Sequence, residues 1–332
     1  MSEAPIPQLE DVRDAAARIA PYAQVTPLRE SGSIDARAGA RLRFKCENLQ
    51  RTGAFKFRGA CNAVFALPQA QARAGVVTHS SGNHGAALAL AAQLRGIPAH
   101  VVVPEGAVPA KLAAIAAFGA TVHRCEPTLA ARESVTAEVQ ARTGATLVHP
   151  YADVRVIAGQ GTATLELLAQ ADGLDAVIAP IGGGGLIGGT ATVLRALAPR
   201  VEIFAAEPEG AADALASLQA GHRITDIVPD TVCDGLRAAI GAVNFELLRR
   251  HAVTVLPVDD AEVIAAMRLM WERLKLLVEP SGATVLAAVL RHRTHFAGRR
   301  VGLIVSGGNV DLASACGLFA TAAAAQARLR PE

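Results

Sequence analysis

Aromatic side chains are scarce, making up 4% of the 332 residues, although 51% of the chain is hydrophobic. A core for such a chain has to be aliphatic, built from Ala, Val, Leu and Ile. The five cysteines, Cys46, Cys61, Cys125, Cys233 and Cys316, are scattered and odd in number, with no CxxC spacing. This excludes a disulfide framework and a cysteine zinc site, and leaves free thiols as the expectation. Excess charge is also missing: the formal net charge is +2, which offers no footprint for nucleic acid or an anionic membrane. No apolar stretch reaches transmembrane length, and Met1-Ser2-Glu3-Ala4-Pro5-Ile6-Pro7 lacks the basic and apolar regions of a signal peptide. Together these absences predict a cytoplasmic protein with neither nucleic acid nor membrane as partner.

What is present is an alternation of short aliphatic runs with longer helical patterns, without internal repeats or low-complexity linkers. That is the grammar of α/β architecture with parallel sheets. The length exceeds one average domain and leaves no room for a regulatory module beside a complete catalytic unit. Four strands are predicted between Gly75 and Pro150, near Val76-Thr78, Ala99-Val103, Thr121-Arg124 and Thr146-Val148. Residues 75-150 are expected to form a small domain, and residues 1-74 with 151-332 a larger one.

Four motifs carry chemistry. In Thr52-Gly53-Ala54-Phe55-Lys56-Phe57-Arg58-Gly59-Ala60 one lysine stands among small and aromatic residues. A lysine that forms a Schiff base must spend time as a neutral amine, and burial beside apolar groups or other cations moves its pKa that way. Alone, Lys56 reads more simply as a solvated lysine at a helix start. Ser80-Ser81-Gly82-Asn83-His84-Gly85 lies between an apolar run and a helical one. Hydroxyls, an amide and free backbone N–H groups at a helix start suit a carboxylate, and an isolated copy would be an ordinary N-cap. Ile181-Gly182-Gly183-Gly184-Gly185-Leu186 follows Ala176-Val177-Ile178-Ala179-Pro180 and precedes a helix expected from near Ile187. Such a run lets the backbone wrap an anion, and the absence of a Gly-Lys-Ser/Thr ending argues against a P-loop. The fourth motif is Val305-Ser306-Gly307-Gly308-Asn309-Val310-Asp311, again after an apolar run.

With these motifs in this order, the chain resembles the fold type II pyridoxal phosphate (PLP) enzymes, specifically the serine/threonine dehydratase and serine racemase family. The likeness runs from about Thr26 to about Leu312 and is far more specific than any one glycine run. It implies a tryptophan synthase β-like fold: two open-sheet α/β domains with the cofactor between them, hinges near Gly75 and Pro150, and a homodimer. Carried onto matching positions, Lys56 is the Schiff-base lysine, Gly182, Gly183, Gly184 and Gly185 with Leu186 the phosphate cup, Asn83 the partner of the cofactor's phenolic oxygen, and Phe55 a neighbour of its ring. Ser306 matches the partner of the pyridine nitrogen. A hydroxyl there does not favour ring protonation as an aspartate would, which weakens the electron sink and favours β-elimination over transamination.

The resemblance also implies a substrate site from Ser80, Ser81, Asn83, His84 and Arg132, with Ser81 a second catalytic group facing Cα opposite Lys56. Glu207, the Ala211 carbonyl and Asp213 match the family's divalent-cation pattern, an all-oxygen set suited to Mg²⁺ or Ca²⁺. Two departures bear on the substrate: Tyr151 stands where the racemase carries asparagine, and Asp234-Gly235-Leu236-Arg237-Ala238-Ala239 offers alanines where it carries serines. The implied activity is an ammonia-lyase acting on a β-hydroxy amino acid, with L-threonine and L-serine as leading substrates and a 2-oxo acid and ammonia as products. The alternatives are a 3-hydroxyaspartate dehydratase, with Arg132, Arg237 or His149 pairing the second carboxylate, a serine racemase, and, in a different class, a catalytically silent amino-acid sensor.

Overall fold

Among the described residues the aliphatic runs form ten strands in two sheets. They are β1 (Leu28–Arg29), β2 (Arg41–Cys46), β3 (Val76–His79), β4 (Ala99–Pro104), β5 (Thr121–Cys125), β6 (Thr146–Leu147), β7 (Ala176–Pro180), β8 (Glu202–Pro208), β9 (Thr254–Val258) and β10 (Arg300–Val305). The structure is a computed structural model that describes residues 6–107 and 109–328. The larger sheet has the order β1-β2-β10-β7-β8-β9 and the smaller one β5-β4-β3-β6. Within these ladders only the β1–β2 pair is antiparallel.

Parallel strands with helices on both faces are buried on both sides, so their sequences are continuously apolar. In the large sheet alternate residues feed two cores, as the period of two requires. Ile178, Phe204, Leu256 and Leu303 face one cluster, together with Leu286 of the helix Pro280–Arg291. Their neighbours Val177, Ile203, Val255 and Ile304 face the other, with Ile187 and Leu194 of the helix Gly185–Leu197. That helix begins at Gly185 rather than near Ile187, because Gly184 at φ 90 and ψ 0 already ends the loop.

The four strands of the small sheet lie within residues 76–147. One face packs Val76, Val101 and Val103 on Leu88 and Ala91 of the helix Asn83–Arg95, and the same cluster takes in Phe57, Ala60 and Val64 of the helix Lys56–Phe65. The lysine helix thus precedes this sheet in sequence yet shares its core, along with Val156 of the helix Val154–Gln170. Among the described residues no helix is long and apolar enough to cross a membrane.

Lys56–Phe65 and Val154–Gln170 meet backbone to backbone. A Cβ on Gly159 would come within 2.6 Å of the Gly59 Cα and 2.7 Å of the Arg58 carbonyl oxygen. We expect Gly159→Ala to force the helices apart at a cost of about 1–3 kcal/mol, the usual range for overpacking. Urea unfolding reads this directly; an unchanged midpoint would mean the two helices separate freely.

Candidate active site

Parallel strands deliver their following loops to one end of a sheet, and open α/β folds bind ligands at the carboxyl ends of their strands. Here β7 feeds Gly182–Gly185, β10 feeds Ser306, and β3 feeds Ser80 to Asn83. The lysine segment joins them through a bridge between Ala54 and Gly307, and the Phe55 N–H donates to the Ser306 carbonyl at 2.9 Å. Ser306 is itself buried.

Lys56 is the first residue of its helix, with Phe55 at the N-cap. Its Nζ donates to the Pro150 carbonyl at 2.9 Å and lies 5.1 Å from the centre of the Phe55 ring. Burial lowers its pKa to about 8, against a partial upward pull from Glu279. Arg58, two residues on, has the opposite surroundings. It is 1% exposed, and its guanidinium donates to Glu47 at 2.7 and 2.9 Å and to Glu166 at 2.7 and 2.8 Å. Burial opposes its charge, but the two carboxylates outweigh burial and raise its pKa.

The glycine loop is roofed by Tyr151. A Cβ on Gly183 would sit 2.3 Å from the tyrosine ring, and one on Gly184, at φ +90, would meet Asn244 Cβ at 2.6 Å. Only glycine fits both positions. Among the described residues no hydrogen bond takes up the N–H of Gly182, Gly183 or Gly184. These donors, at the start of the helix Gly185–Leu197, suit an anion such as a phosphate ester.

Beside Lys56, His149 stacks edge-on against Tyr151 at 4.6 Å and against His79 at 5.3 Å. His149 Nδ1 accepts from the N–H groups of Tyr151 at 3.4 Å and Ala152 at 3.1 Å, which leaves its ring proton on Nε2. Burial, with the charges of His79 and Lys56, lowers its pKa to about 4. Arg132, on the helix Leu129–Thr143, lies close enough for its charge to depress His79, after burial, and to act on Tyr151. Among the described residues it has no carboxylate partner; its Nε donates to the Thr128 carbonyl at 3.3 Å. Arg237, by contrast, spends its guanidinium on the Thr231 carbonyl at 2.6 and 3.2 Å.

The serine turn behaves differently from residue to residue. Ser80 Oγ accepts from the Gly82 N–H at 3.4 Å, and Ser80 and Ser81 are half-buried. Asn83 Nδ2 donates to Glu279 at 2.9 Å, and its Oδ1 accepts from Asn309 at 2.9 Å. His84 is buried with Nε2 3.2 Å from the Val148 carbonyl oxygen, its Nδ1 has no partner, and burial holds the ring well below the usual histidine range.

Glu207, at the end of β8, and Asp213, the first residue of the helix Asp213–Ala220, are 0% and 1% exposed. Both Glu207 oxygens accept backbone N–H groups, from Ala214 at 2.8 Å and Leu215 at 2.9 Å. Burial raises Glu207 to about 8 and Asp213 to about 6, and Asp213 Oδ1 is buried without a partner. Two carboxylates whose charge is disfavoured, one with an orphaned oxygen, fit a missing cation; Ala211 lies buried in the short turn between them. Among the described residues no cluster of three or more His, Cys, Asp or Glu side chains has metal-binding geometry, so such a cation would need backbone and water oxygens as well.

Sequence reading missed Glu279 and Asn244. Glu279 carries a signal in retrospect, an acid directly before Pro280-Ser281-Gly282 after the apolar Leu276-Leu277-Val278. Asn244 carries none.

A buried lysine of lowered pKa, set beside an anion-ready glycine loop after β7 and a buried serine after β10, defines the site of a PLP-binding α/β fold of type II. Residues 19–307 match the family of pyridoxal-phosphate dependent enzymes, and the chain belongs to it. It is similar to beta-hydroxyaspartate dehydratase of Paracoccus denitrificans (strain Pd 1222), with 51% identity over 307 residues, 92% of this chain and 98% of that one. The structure of maize serine racemase is similar with a TM-score of 0.92 and 45% identity, covering 97% of this chain and 99% of that one. The threonine deaminase of T.th. is similar with a TM-score of 0.88 and 44% identity, covering 92% of this chain and 99% of that one. The chain is therefore a PLP-dependent enzyme of the group that includes ammonia-lyases and racemases.

The lysine pKa has a direct consequence. A neutral amine is the nucleophile, so capture of PLP by the apoprotein should accelerate as pH rises and level off above about 8, where Lys56 has lost its proton. Stopped-flow absorbance measures the rate. A profile still climbing beyond about pH 10, as for an ordinary lysine, would contradict the burial effect.

Proposed function

We propose that this enzyme is a 3-hydroxyaspartate dehydratase, converting that amino acid to a 2-oxo acid and ammonia. The observation that carries this is the unpaired Arg132 guanidinium beside His79, next to the His149 ring that adjoins Lys56. A four-carbon substrate with a carboxylate at each end has its α-carbon at Lys56 and needs a cation for its far end. The Arg132 charge and the Nε2–H of His149 meet that need, whereas Arg237 is already engaged by Thr231. L-Threonine and L-serine, the leading substrates from the motifs, would use the same Lys56 chemistry and leave Arg132 idle. A silent sensor would have no need of a lysine whose pKa is lowered by burial.

When bound, PLP supplies an electron sink at the substrate α-carbon. Lys56 would hold it in the resting enzyme and, once freed by the substrate amine, would move the proton at Cα. The amides of Gly182 to Gly185 and Leu186 would hold its phosphate, Ser306 would serve its ring nitrogen, Asn83 its ring oxygen, and Phe55 would flank it. Ser80, Ser81 and the backbone amides at Asn83 and His84 take the α-carboxylate. The buried His84 ring contributes to the shape of that turn, through its contact with Val148. Ser81 supplies the second face of Cα, so a racemase side activity would depend on it. Movement of residues 75-150 against 1-74 and 151-332 would exclude water from the reacting carbon.

In a panel of serine, threonine and hydroxyaspartate isomers scored by 2-oxo acid release, a 3-hydroxyaspartate isomer should give the highest kcat/KM. Arg132→Ala should raise KM for that isomer by roughly tenfold to a hundredfold, the value of a charged hydrogen bond. Turnover of L-serine should change little. An equal loss on both substrates would remove Arg132 from the far carboxylate.

The residues Glu207, Ala211 and Asp213 are further proposed to hold Mg²⁺ or Ca²⁺. Chelation should then lower the thermal unfolding midpoint of the wild type and leave Asp213→Asn unmoved, with recovery on adding either ion. A wild-type midpoint indifferent to chelator would reduce the pair to buried acids at a helix start.

A further inference from the structure

Asn244, in the first turn of the helix Ala242–Arg250, is fully buried and touches both halves of the site. Its Nδ2 donates to the Gly183 carbonyl at 2.6 Å and to the Tyr151 carbonyl at 2.8 Å. An amide nitrogen has two hydrogens, and here each has its own acceptor. Two carbonyl acceptors also fix which end of the amide is the nitrogen, and the other end, Oδ1, is buried without a partner. That imbalance says the donors are what the position is for.

Peptide units are planar, and in a trans unit the carbonyl of one residue and the N–H of the next point to opposite sides. The Gly183 carbonyl is held by Asn244 and, at 3.1 Å, by the Gly241 N–H. The Gly184 N–H is thereby turned away from Asn244, and it is one of the donors left without an acceptor. On the other strand end, the Tyr151 carbonyl is held by Asn244 and the Ala152 N–H points back to His149. The preceding unit repeats the pattern, with the Pro150 carbonyl on Lys56 and the Tyr151 N–H on His149. One buried amide therefore connects the glycine loop to the segment that receives the lysine.

We propose that Asn244 is a positioning residue, which aims the Gly184 N–H into the phosphate cup by locking the Gly183 carbonyl and registers that cup against the 149–151 segment beside Lys56. This rests on the assignment of the glycine loop to the phosphate group. Loss of the two donors lets the Gly183–Gly184 unit rotate, and the cost falls on ligands that carry a phosphate.

The test is the ratio of dissociation constants for pyridoxal and PLP, measured on the apoprotein by equilibrium dialysis. Asn244→Ala removes the amide, and Asn244→Leu keeps its volume without a donor, which guards against a cavity effect. Both should weaken PLP by roughly tenfold or more, as expected for a lost buried hydrogen bond, and change pyridoxal far less. Asn244→Asp adds a readout that a packing role would not move. Its ionised carboxylate opposes two carbonyl oxygens, whereas its protonated form donates one hydrogen bond, so its loss relative to wild type should shrink from about pH 8 to about pH 6.

Equal weakening of pyridoxal and PLP in the folded Ala and Leu variants would overturn the proposal, as would an Asp variant that tracks Ala at every pH. A wild type that binds both ligands equally well would overturn the phosphate-cup assignment itself, and the proposal with it. The wild-type ratio thus separates failure of the cup from failure of Asn244.

Discussion

The Arg58 guanidinium, buried between Glu47 and Glu166, fixes the helical turn from which Lys56 projects. Its partners come from the segment after β2 and from the helix Val154–Gln170, so two distant parts of the chain close on one cation. Lys45 joins the same group by donating to Glu166 at 2.5 Å and to the Thr26 carbonyl at 2.7 Å. Removing one partner of a buried pair costs about 3–5 kcal/mol, because the remaining charge is stranded. The turn therefore has little freedom to slide. Residues two apart on a helix do not share a face, so the carboxylates that satisfy Arg58 are not offered to Lys56. Full pairing at one position and a lowered pKa at the other follow from a single helical offset.

Around the lysine the pocket is kept short of negative charge. Burial, together with the charges of Lys56 and other neighbours, depresses His84 and His149, and burial with Arg132 depresses His79. In all three rings the charged form is disfavoured, which suits them to act as single donors or acceptors rather than as cations. Glu279 is the counterweight: it pulls the Lys56 pKa up, accepts from Asn83, and receives the Asn309 N–H at 3.1 Å. Asn83 belongs to the helix that packs on the small sheet, and Glu279 and Asn309 to the ends of elements that pack on the large one. Hydrogen bonds that cross between the two sheets thus end on the carboxylate that modulates the nucleophile.

Much of this was legible in the sequence because parallel α/β folds put chemistry at strand ends, where glycines and small polar residues break the apolar runs. The strands β3, β4, β5 and β6 and the glycine loop after β7 announce themselves in that way. Tyr151 was visible as a departure, but not its position over Gly183, which depends on β7 and the 149–151 segment meeting in space. Asn244 was invisible for the same reason: its partners lie 61 and 93 residues away, and an asparagine in the first turn of a helix reads as ordinary capping. The lysine helix precedes the small sheet in sequence, and its apolar face packs into the core of that sheet. Periodicity reports that a helix has a buried face and not which sheet will bury it.

Relatives at similar identity carry the names of a dehydratase, a racemase and a deaminase, and the arrangement of this site explains how that arises. The lysine and the glycine loop sit among backbone carbonyls, glycine amides and buried ion pairs, where a substitution disturbs several partners at once. The side chains that the proposed function sets against the rest of the substrate lie elsewhere: Arg132 on a helix, His79 at the end of β3, and His149 and Tyr151 on the segment after β6. Of these, Arg132 is half-exposed and makes a single backbone contact, so it can be exchanged at little cost to the fold. On the proposed function, reaction class is bound into the core, and substrate choice is carried by a few contacts that the core does not need. Overall identity consequently follows the first and says little about the second, which is why the charge and pairing of one arginine weigh more here than the rank order of the relatives.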